Sequence, residues 1–361
     1  MPEPERVLVT GFPGFIGERL LPRLLEARPR AEFVCLVQPR FAEAAGRSRG
    51  AIESRQPAAT GRIRIAEGDI TAPGLGLGSA GDVLPGLTAA YHLAAAYDLA
   101  VSREVGTRVN VVGTRNVLHF LARAPRLERL HYVSTAYVSG TATGVFRESD
   151  LYVGQRWKNF YEETKFLAEL EVVKSGLPAT IYRPAIVVGD SRTGETGKFD
   201  GPYFTLSAME RVPSPGVFIK VGWGHNPANL VPVDFIVDAM AVLARGEGSA
   251  GKTYHLTDPA PLSVAEVARL MAREMGKRFL LVPIPRALAK AVFAPAAVQR
   301  YFGMPVQTLD YFDHACRYDT TMATADLRAG GVECPPFASY VGPLVAFYRA
   351  HRDGVRRAAM I

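Results

Sequence analysis

Short apolar runs alternate with longer stretches of helical periodicity through the first half of the chain. Arg6–Thr10 is apolar and breaks into glycines, and a helical pattern follows through about Ala27. Glu32–Val37, Ile63–Ala66, Ala89–Ala94, Leu130–Ser134 and Ala179–Tyr182 read as further strands. Helical patterns cover roughly Ser102–Ala122 and Asn159–Lys174. The strand runs are near-continuously apolar rather than alternating, as parallel strands covered on both faces are. This alternation of strand and helix predicts an α/β fold on a doubly wound parallel sheet.

Beyond Pro184 the rhythm changes. Gly189–Gly224 is rich in Gly, Pro and aromatics with little periodicity, which predicts loops lining a site. Val231–Arg245 resumes a strand–helix pattern and Lys252–Leu256 reads as another strand. From Ser263 the pattern is mostly helical. Ser263–Met275 opens with Ser263 and Glu266 at capping-box spacing, Pro283–Pro285 precedes a basic amphipathic stretch over Arg286–Phe302, and Ser339–His351 is amphipathic. The expected organisation is a Rossmann-type core over 1–190 with a return segment about 230–258. A smaller, mostly helical lobe, expected to bind substrate, takes 191–229 and 259–361.

Composition narrows the classes. The 361 residues are 48% hydrophobic and 21% charged, ordinary for a globular chain, and no run of about 20 apolar residues offers a spanning helix. The N-terminus carries charges and then a strand-like run, with no secretory h-region, so the expected compartment is the cytoplasm. Cys35, Cys316 and Cys334 are odd in number and widely spaced, which predicts neither a disulfide framework nor a metal site. The net charge of +7 is weak for this length, compatible with anionic substrates and poor as a nucleic-acid footprint. Six arginines (Arg40, Arg47, Arg49, Arg55, Arg62, Arg64) face only Glu43 and Glu53 in one stretch. Arg349, His351, Arg352, Arg356 and Arg357, with Asp353, make a second basic patch. A solvated face is the simpler reading of either patch.

The glycine turn Gly11, Phe12, Pro13, Gly14, Phe15, Ile16, Gly17 follows the first strand and opens the first helix. Glycines there admit a pyrophosphate close to the backbone, and the helix N-terminus offers it unpaired N–H groups. At the tip of the second strand, where an acid would accept from a ribose 2′-hydroxyl, the chain has Gln38, Pro39 and Arg40. A 2′-phosphate prefers that surface, so NADP(H) is expected over NAD(H). Asp69 and Ile70, after the third strand, are positioned to meet the adenine, although Asp69 also reads as a turn cap.

Tyr161 and Lys165 stand four apart on a predicted helix and so share a face. A free phenol titrates near pH ~10, too high for easy proton exchange at neutrality. An ammonium about 4 Å away, at an effective dielectric of about 20, is worth about 4 kcal/mol, enough to bring the phenol into range for acid–base work. Upstream, the fifth strand ends in Val133, Ser134 and Thr135, where open α/β sheets place ligands. A hydroxyl there would hold a substrate carbonyl oxygen beside Tyr161.

With these motifs the chain resembles the extended short-chain dehydrogenase/reductases. The matching pieces are TGFPGFIG (Thr10–Gly17), GDI (Gly68–Ile70), HLAA (His92–Ala95), NVVGTRNVL (Asn110–Leu118), YVSTAYVSG (Tyr132–Gly140), YEETK (Tyr161–Lys165) and YRPAIVVGDSRTG (Tyr182–Gly194). NFYEETKFLAE (Asn159–Glu169), GDSRTGE (Gly189–Glu195) and NLVPVDFIVDA (Asn229–Ala239) look more narrowly like thioester reductase domains and fatty acyl-CoA reductases. The likeness covers about residues 5–260.

The resemblance implies that Thr135 takes the place of the catalytic Ser/Thr, Tyr161 donates the proton and Lys165 binds the nicotinamide ribose. It further implies that Asn110 serves a water relay, that Ala94 meets the cofactor, and that Pro184 and Ile186 set backbone atoms beside the nicotinamide amide. Acyl-reductase relatives commonly carry Arg directly after the second strand; this chain has Gln38, with Arg40 as the substitute.

The expected reaction is hydride transfer from NADPH to the carbonyl of an apolar acyl thioester, aldehyde or ketone, the acyl group arriving on CoA or a carrier protein. Phe199, Tyr203 and Phe204 either grip an apolar tail or pack the small lobe. Arg286–Phe302 reads as a lid or dimer helix ahead of a membrane contact. The same scaffold carries NAD-dependent nucleotide-sugar epimerases and dehydratases and hydroxysteroid-type dehydrogenases. A non-catalytic NADPH sensor is the other class left open; such proteins tend to lose the Tyr/Lys pair, which this chain keeps.

Overall fold

The computed structural model describes residues 5–78, 82–302 and 304–352. The first half runs β1 (Arg6–Thr10), α1 (Phe15–Ala27), β2 (Glu32–Val37), α2 (Ala42–Arg55), β3 (Ile63–Glu67), β4 (Leu87–His92), α3 (Arg103–Gly106), α4 (Gly113–Leu121) and β5 (Arg129–Val133). It continues through β6 (Gly144–Phe146), α5 (Phe160–Lys174), β7 (Ala179–Pro184) and β8 (Ile186–Val188). Then come α6 (Pro202–Arg211), β9 (Gly216–Val221), β10 (Leu230–Pro232), α7 (Val233–Arg245), β11 (Thr253–Leu256) and α8 (Val264–Glu274). The chain closes with β12 (Phe279–Ile284), α9 (Arg286–Phe293), α10 (Ala296–Phe302), β13 (Cys316–Tyr318), α11 (Thr321–Ala329) and α12 (Phe337–His351).

Seven strands form one parallel sheet in the order β11-β7-β5-β4-β1-β2-β3. Every residue of β4 and β7 is buried, including the polar Thr88, His92, Thr180 and Arg183 among the apolar ones, as for strands covered on both faces. Leu20 and Leu24 of α1, Ile236 and Met240 of α7, and Ala323 and Leu327 of α11 pack on one face. Val117 and Leu121 of α4 with Ala168 and Val172 of α5 cover the other. The sheet is therefore wound on both sides, and the direction in which successive strands are added reverses between β1 and β4. Open α/β sheets bind ligands at such a switch point.

Outside the sheet, α6, α8 and α12 share a cluster built on Leu206, Met209, Met271, Tyr340 and Leu344. Ser263 caps α8 with the reciprocal Glu266 bond of the anticipated capping box. The segment expected as loops instead contains α6 and β9. Helix α6 has only ten residues, hemmed by Pro202 and Pro213, so its stripe of Tyr203, Leu206 and Met209 is too short to stand out. Strand β9 pairs with β12, about 60 residues on, a partnership no local pattern announces.

The arginine-rich stretch is not one anion surface. Most of it is α2, whose buried side chains are only Ala45 and Ile52. Arg47 pairs with Glu43. Arg62 turns inward to the carbonyls of Leu25, Arg28 and Ala31, closing the end of α1. Of the C-terminal basic patch, Asp353, Arg356 and Arg357 lie outside the described residues. No helix among the described residues is long and apolar enough to cross a membrane.

Candidate active site

Gly11 leaves β1 at φ +85°, in the left-handed region, and a Cβ there would sit 2.8 Å from Ala94 N. A Cβ on Gly14 or on Gly17 would fall 2.7 Å from the Gly11 carbonyl oxygen. These glycines therefore keep clear a cradle at the switch point. Helix α1 opens at Phe15 with no side chain capping it, so its first N–H groups remain available to an anion. The Thr10 hydroxyl accepts from Ala94 N at 3.1 Å and meets His92 Nδ1 at 2.7 Å, tying the tips of β1 and β4 together. The backbone here fits a dinucleotide pyrophosphate.

A cleft of about 970 Å³ runs from this cradle toward the helical lobe. Gly11, Phe12, Pro13, Gly14, Phe15, Ile16, Gly17, Ile70, Ala94, Pro184 and Ile186 all line it. So do Ser134, Thr135, Tyr161 and Lys165. The expected residues thus come together on one wall from β5, α5, β7 and the glycine turn.

Several others stand back from the lining. Gln38 donates to Asp69 Oδ2 at 2.9 Å, while Asp69 Oδ1 accepts from Thr71 N at 2.7 Å. Asp69 is thus a turn cap, and Ile70 beside it reaches the cleft. Arg40 Nε donates to Gln38 Oε1 at 2.9 Å and its guanidinium stacks on Phe41, so Gln38 and Phe41 form the wall with Arg40 behind. Phe199 and Tyr203 pack with Tyr348 in the lobe interior, and only Phe204 of that trio lines the cleft.

Asn110 is buried in a π-helical turn, Thr107–Val112, between α3 and α4. Its Nδ2 donates to Ala96 O at 2.9 Å and Thr164 Oγ1 at 3.0 Å, and its Oδ1 accepts from Ala96 N at 2.8 Å. The amide is fully engaged and braces α5 beside Lys165 without lining the cleft.

Asn159 caps α5 through a bond from Glu162 N to its Oδ1 at 3.0 Å, so that Tyr161 and Lys165 fall on one face. The Tyr161 hydroxyl hydrogen-bonds the Thr135 side chain, which pulls the phenol back from the rise that burial imposes; the net position is about 12. The expected lowering by Lys165 is absent. Lys165 Nζ is occupied with Val133 O at 2.8 Å and Tyr132 Oη at 3.0 Å. Burial brings Lys165 down to about 7 against the upward pull of Glu169, the next residue along that face. Desolvation outweighs the pull of Glu169 on Lys165, and on Tyr161 it outweighs the Thr135 hydrogen bond while Glu162 adds to the rise.

Beneath them lies a polar layer that the sequence reading missed. The Ser134 hydroxyl donates to Glu169, so it points inward and leaves Thr135 to face the cleft with Tyr161. Glu169 also accepts from Arg183 at 2.6 Å, both side chains being almost wholly buried. Arg183 meets His255 Nε2 at 3.2 Å.

The far wall is apolar and also went unread. Val217, Ile219 and Val221 of β9, with Val292 and Phe293 of α9 and Met304, line it. Tyr311 closes over Tyr137 edge-on at 4.8 Å.

Comparison with known proteins places this architecture. A terminal R domain from the myxalamid PKS–NRPS biosynthetic pathway superposes with a TM-score of 0.80 at 29% identity, over 99% of this chain and 93% of that one. The isonitrile lipopeptide synthase of Streptomyces coeruleorubidus is 31% identical over 350 residues, 91% of this chain and 22% of that protein. The fatty acyl-CoA reductase wat of Drosophila melanogaster is 27% identical over 277 residues, 66% of this chain and 53% of that protein. The chain thus spans well under two thirds of either relative's length. The family described as male sterility protein, an NAD-binding family, matches residues 9–240. With its glycine cradle at the switch point and Tyr161 and Lys165 on one helix face, the chain belongs to that family, within the extended short-chain dehydrogenase/reductases, which are NAD(P)-dependent oxidoreductases.

Proposed function

We propose that the chain is an NADPH-dependent reductase of apolar acyl thioesters. The observation that carries this reading is a single cleft with Thr135, Tyr161 and Lys165 on one wall and Val217, Ile219, Val292 and Phe293 on the other. An apolar chain on the second wall would present its terminal carbonyl to the first. A polar nucleotide-sugar finds little to bond on that second wall.

The glycine turn from Gly11 to Gly17 holds the pyrophosphate, Ile70 and Ala94 flank the adenosine half, and Pro184, Ile186 and Lys165 hold the nicotinamide half. When bound, the coenzyme supplies hydride to the carbonyl carbon. Thr135 and Tyr161 hold the carbonyl oxygen, and Tyr161, protonated throughout the neutral range, gives it a proton. The phenolate left behind is the costly species, and the hydrogen bond from Thr135 is what eases it. From a thioester the immediate product is a hemithioacetal, which collapses to aldehyde and thiol. Ser134 acts through Glu169 and Asn110 through Thr164, both as positioning residues.

Arg40 favours the 2′-phosphate of NADPH from behind Gln38. Similarity to the R domain and to fatty acyl-CoA reductase supports a thioester on a carrier protein or on CoA. The test is NADPH consumption across acyl-CoAs, carrier-bound acyl groups, long-chain aldehydes and ketones, with products identified. Turnover confined to polar sugars or steroids would replace this reading.

A further inference from the structure

A second cavity, of about 370 Å³, opens beside the substrate half of the cleft. Lys220 and Pro227 line both spaces, so the two adjoin. Lys220 comes from β9, His225 from the loop after it, Arg269 from α8 and Arg317 from β13; three separate stretches of chain converge four basic side chains on one hollow. Among the described residues Glu266 is the only acid lining it, and its carboxylate accepts from Ser263 N at 2.8 Å and Ser263 Oγ at 2.6 Å. Lys220 spends one proton on Trp223 O. The guanidiniums of Arg269 and Arg317 make no hydrogen bond or close ion pair among the described residues, Arg269 meeting Glu266 only through a weaker charge attraction. Three permanent cations around one capped carboxylate favour an anion with several acceptor oxygens.

An independent observation lies on the path inward. From Pro227 the chain continues along the cleft wall through Ala228 to Asn229, which is 3% exposed. Asn229 Oδ1 accepts from Asp258 N at 3.1 Å, which fixes the orientation of the amide. Its Nδ2 is buried without any partner. A buried donor left unpaired costs about 1–3 kcal/mol, so an acceptor arriving on a ligand gains what the free protein forgoes.

We propose that Lys220, His225, Arg269 and Arg317 bind the phosphate of a thioester's carrier arm, and that Asn229 Nδ2 donates to an amide oxygen of that arm where it enters the cleft. This rests on the thioester reading above. The ligand chemistry is a phosphorylated pantetheine-type arm, shared by acyl-CoA and by a prosthetic arm on a carrier protein. Phosphate at the cavity, amide at Asn229 and carbonyl at Thr135 and Tyr161 then lie in sequence along one route.

Phosphopantetheine and pantetheine are titrated calorimetrically into the full chain, as wild type, as the R269A/R317A double variant and as Asn229→Ala, each checked for native circular dichroism. Phosphopantetheine binds the wild type about tenfold more tightly than pantetheine at low salt, and the ratio shrinks as salt rises. R269A/R317A brings the ratio close to one. Asn229→Ala weakens both ligands alike and keeps the ratio. Equal affinities in the wild type, or a ratio that survives the double variant, overturn the pocket. Turnover of acyl-pantetheine, acyl-CoA and carrier-bound acyl groups separates this from the parent reading. Thioesters reduced with no preference for phosphate sink the pocket alone. A phosphate-dependent ratio lost in the double variant, with no thioester reduced, keeps the pocket and sinks the reductase reading. The substrate whose kcat/KM falls furthest in R269A/R317A names the source of the phosphate, CoA or carrier.

Discussion

Lys165 Nζ donates to the carbonyl of Val133 at 2.8 Å, which ties the ammonium to the end of β5, next to the Ser134–Thr135 hydroxyls. The bond holds α5 against the sheet and keeps Lys165 one turn from Tyr161. It also leaves Lys165 in a desolvated position, where its charge depends on few neighbours.

That dependence predicts a pH profile. Burial lowers Lys165 to about 7, so the free enzyme loses the ammonium as pH rises through that value. The kcat/KM profile, which reports the free enzyme, falls on its alkaline side from about pH 7. Glu169 raises Lys165, so Glu169→Gln shifts that limb to lower pH. A limb left in place by Glu169→Gln removes Glu169 from any role in setting the charge.

Chain-length dependence tests the apolar wall. Each buried methylene is worth about 0.8 kcal/mol, close to fourfold in affinity. KM falls by up to about fourfold per added methylene until the wall of Val217, Ile219, Val292 and Phe293 is filled. Ile219→Asp flattens this series, raising KM for long acyl groups by more than about tenfold and for short ones far less. A parallel rise at every length contradicts the assignment.

The proposed preference for NADPH assigns the 2′-phosphate to Arg40. An exposed charge-assisted contact is worth about 1 kcal/mol, so Arg40→Ala raises KM for NADPH about fivefold and leaves NADH unchanged. Equal effects on the two coenzymes place the 2′-phosphate elsewhere.

Acid stability follows from buried imidazoles. Burial brings His92, His255 and His314 each to about 3 and lowers His131 as well. Unfolded histidines titrate near 6.5, so between about pH 6.5 and 3 the unfolded chain binds protons that the native one refuses. Stability is therefore lost as pH falls through that window. The raised carboxyls of Glu148 and Asp258 work in the opposite sense. Urea melts at pH 7 and pH 5 check the balance, with a loss of at least about 2 kcal/mol expected.

The parallel strands were legible because burial on both faces leaves a near-continuous apolar run, as in Val7–Val9 of β1 and Phe33–Val37 of β2. The glycine turn was legible because its residues meet backbone, which excludes a side chain. Partners distant in sequence were not. Strand β9 forms the apolar wall by pairing with β12, and the Glu169–Arg183 layer joins helix to strand under the sheet's end. Aromatic composition likewise marked Phe199, Tyr203 and Phe204 without saying which way each ring turns. Proximity of Tyr161 and Lys165 followed from helical spacing, but the balance between charge and desolvation needed the surroundings of both.

Single-turnover oxidation of NADPH by wild type and Tyr161→Phe, mixed with a long-chain acyl thioester, tests the central claim. The hydride step in Tyr161→Phe slows by 10²–10⁴-fold while coenzyme and thioester still bind, the usual worth of one positioned acid. A hydride step of unchanged rate in Tyr161→Phe would show that the proton comes from another group.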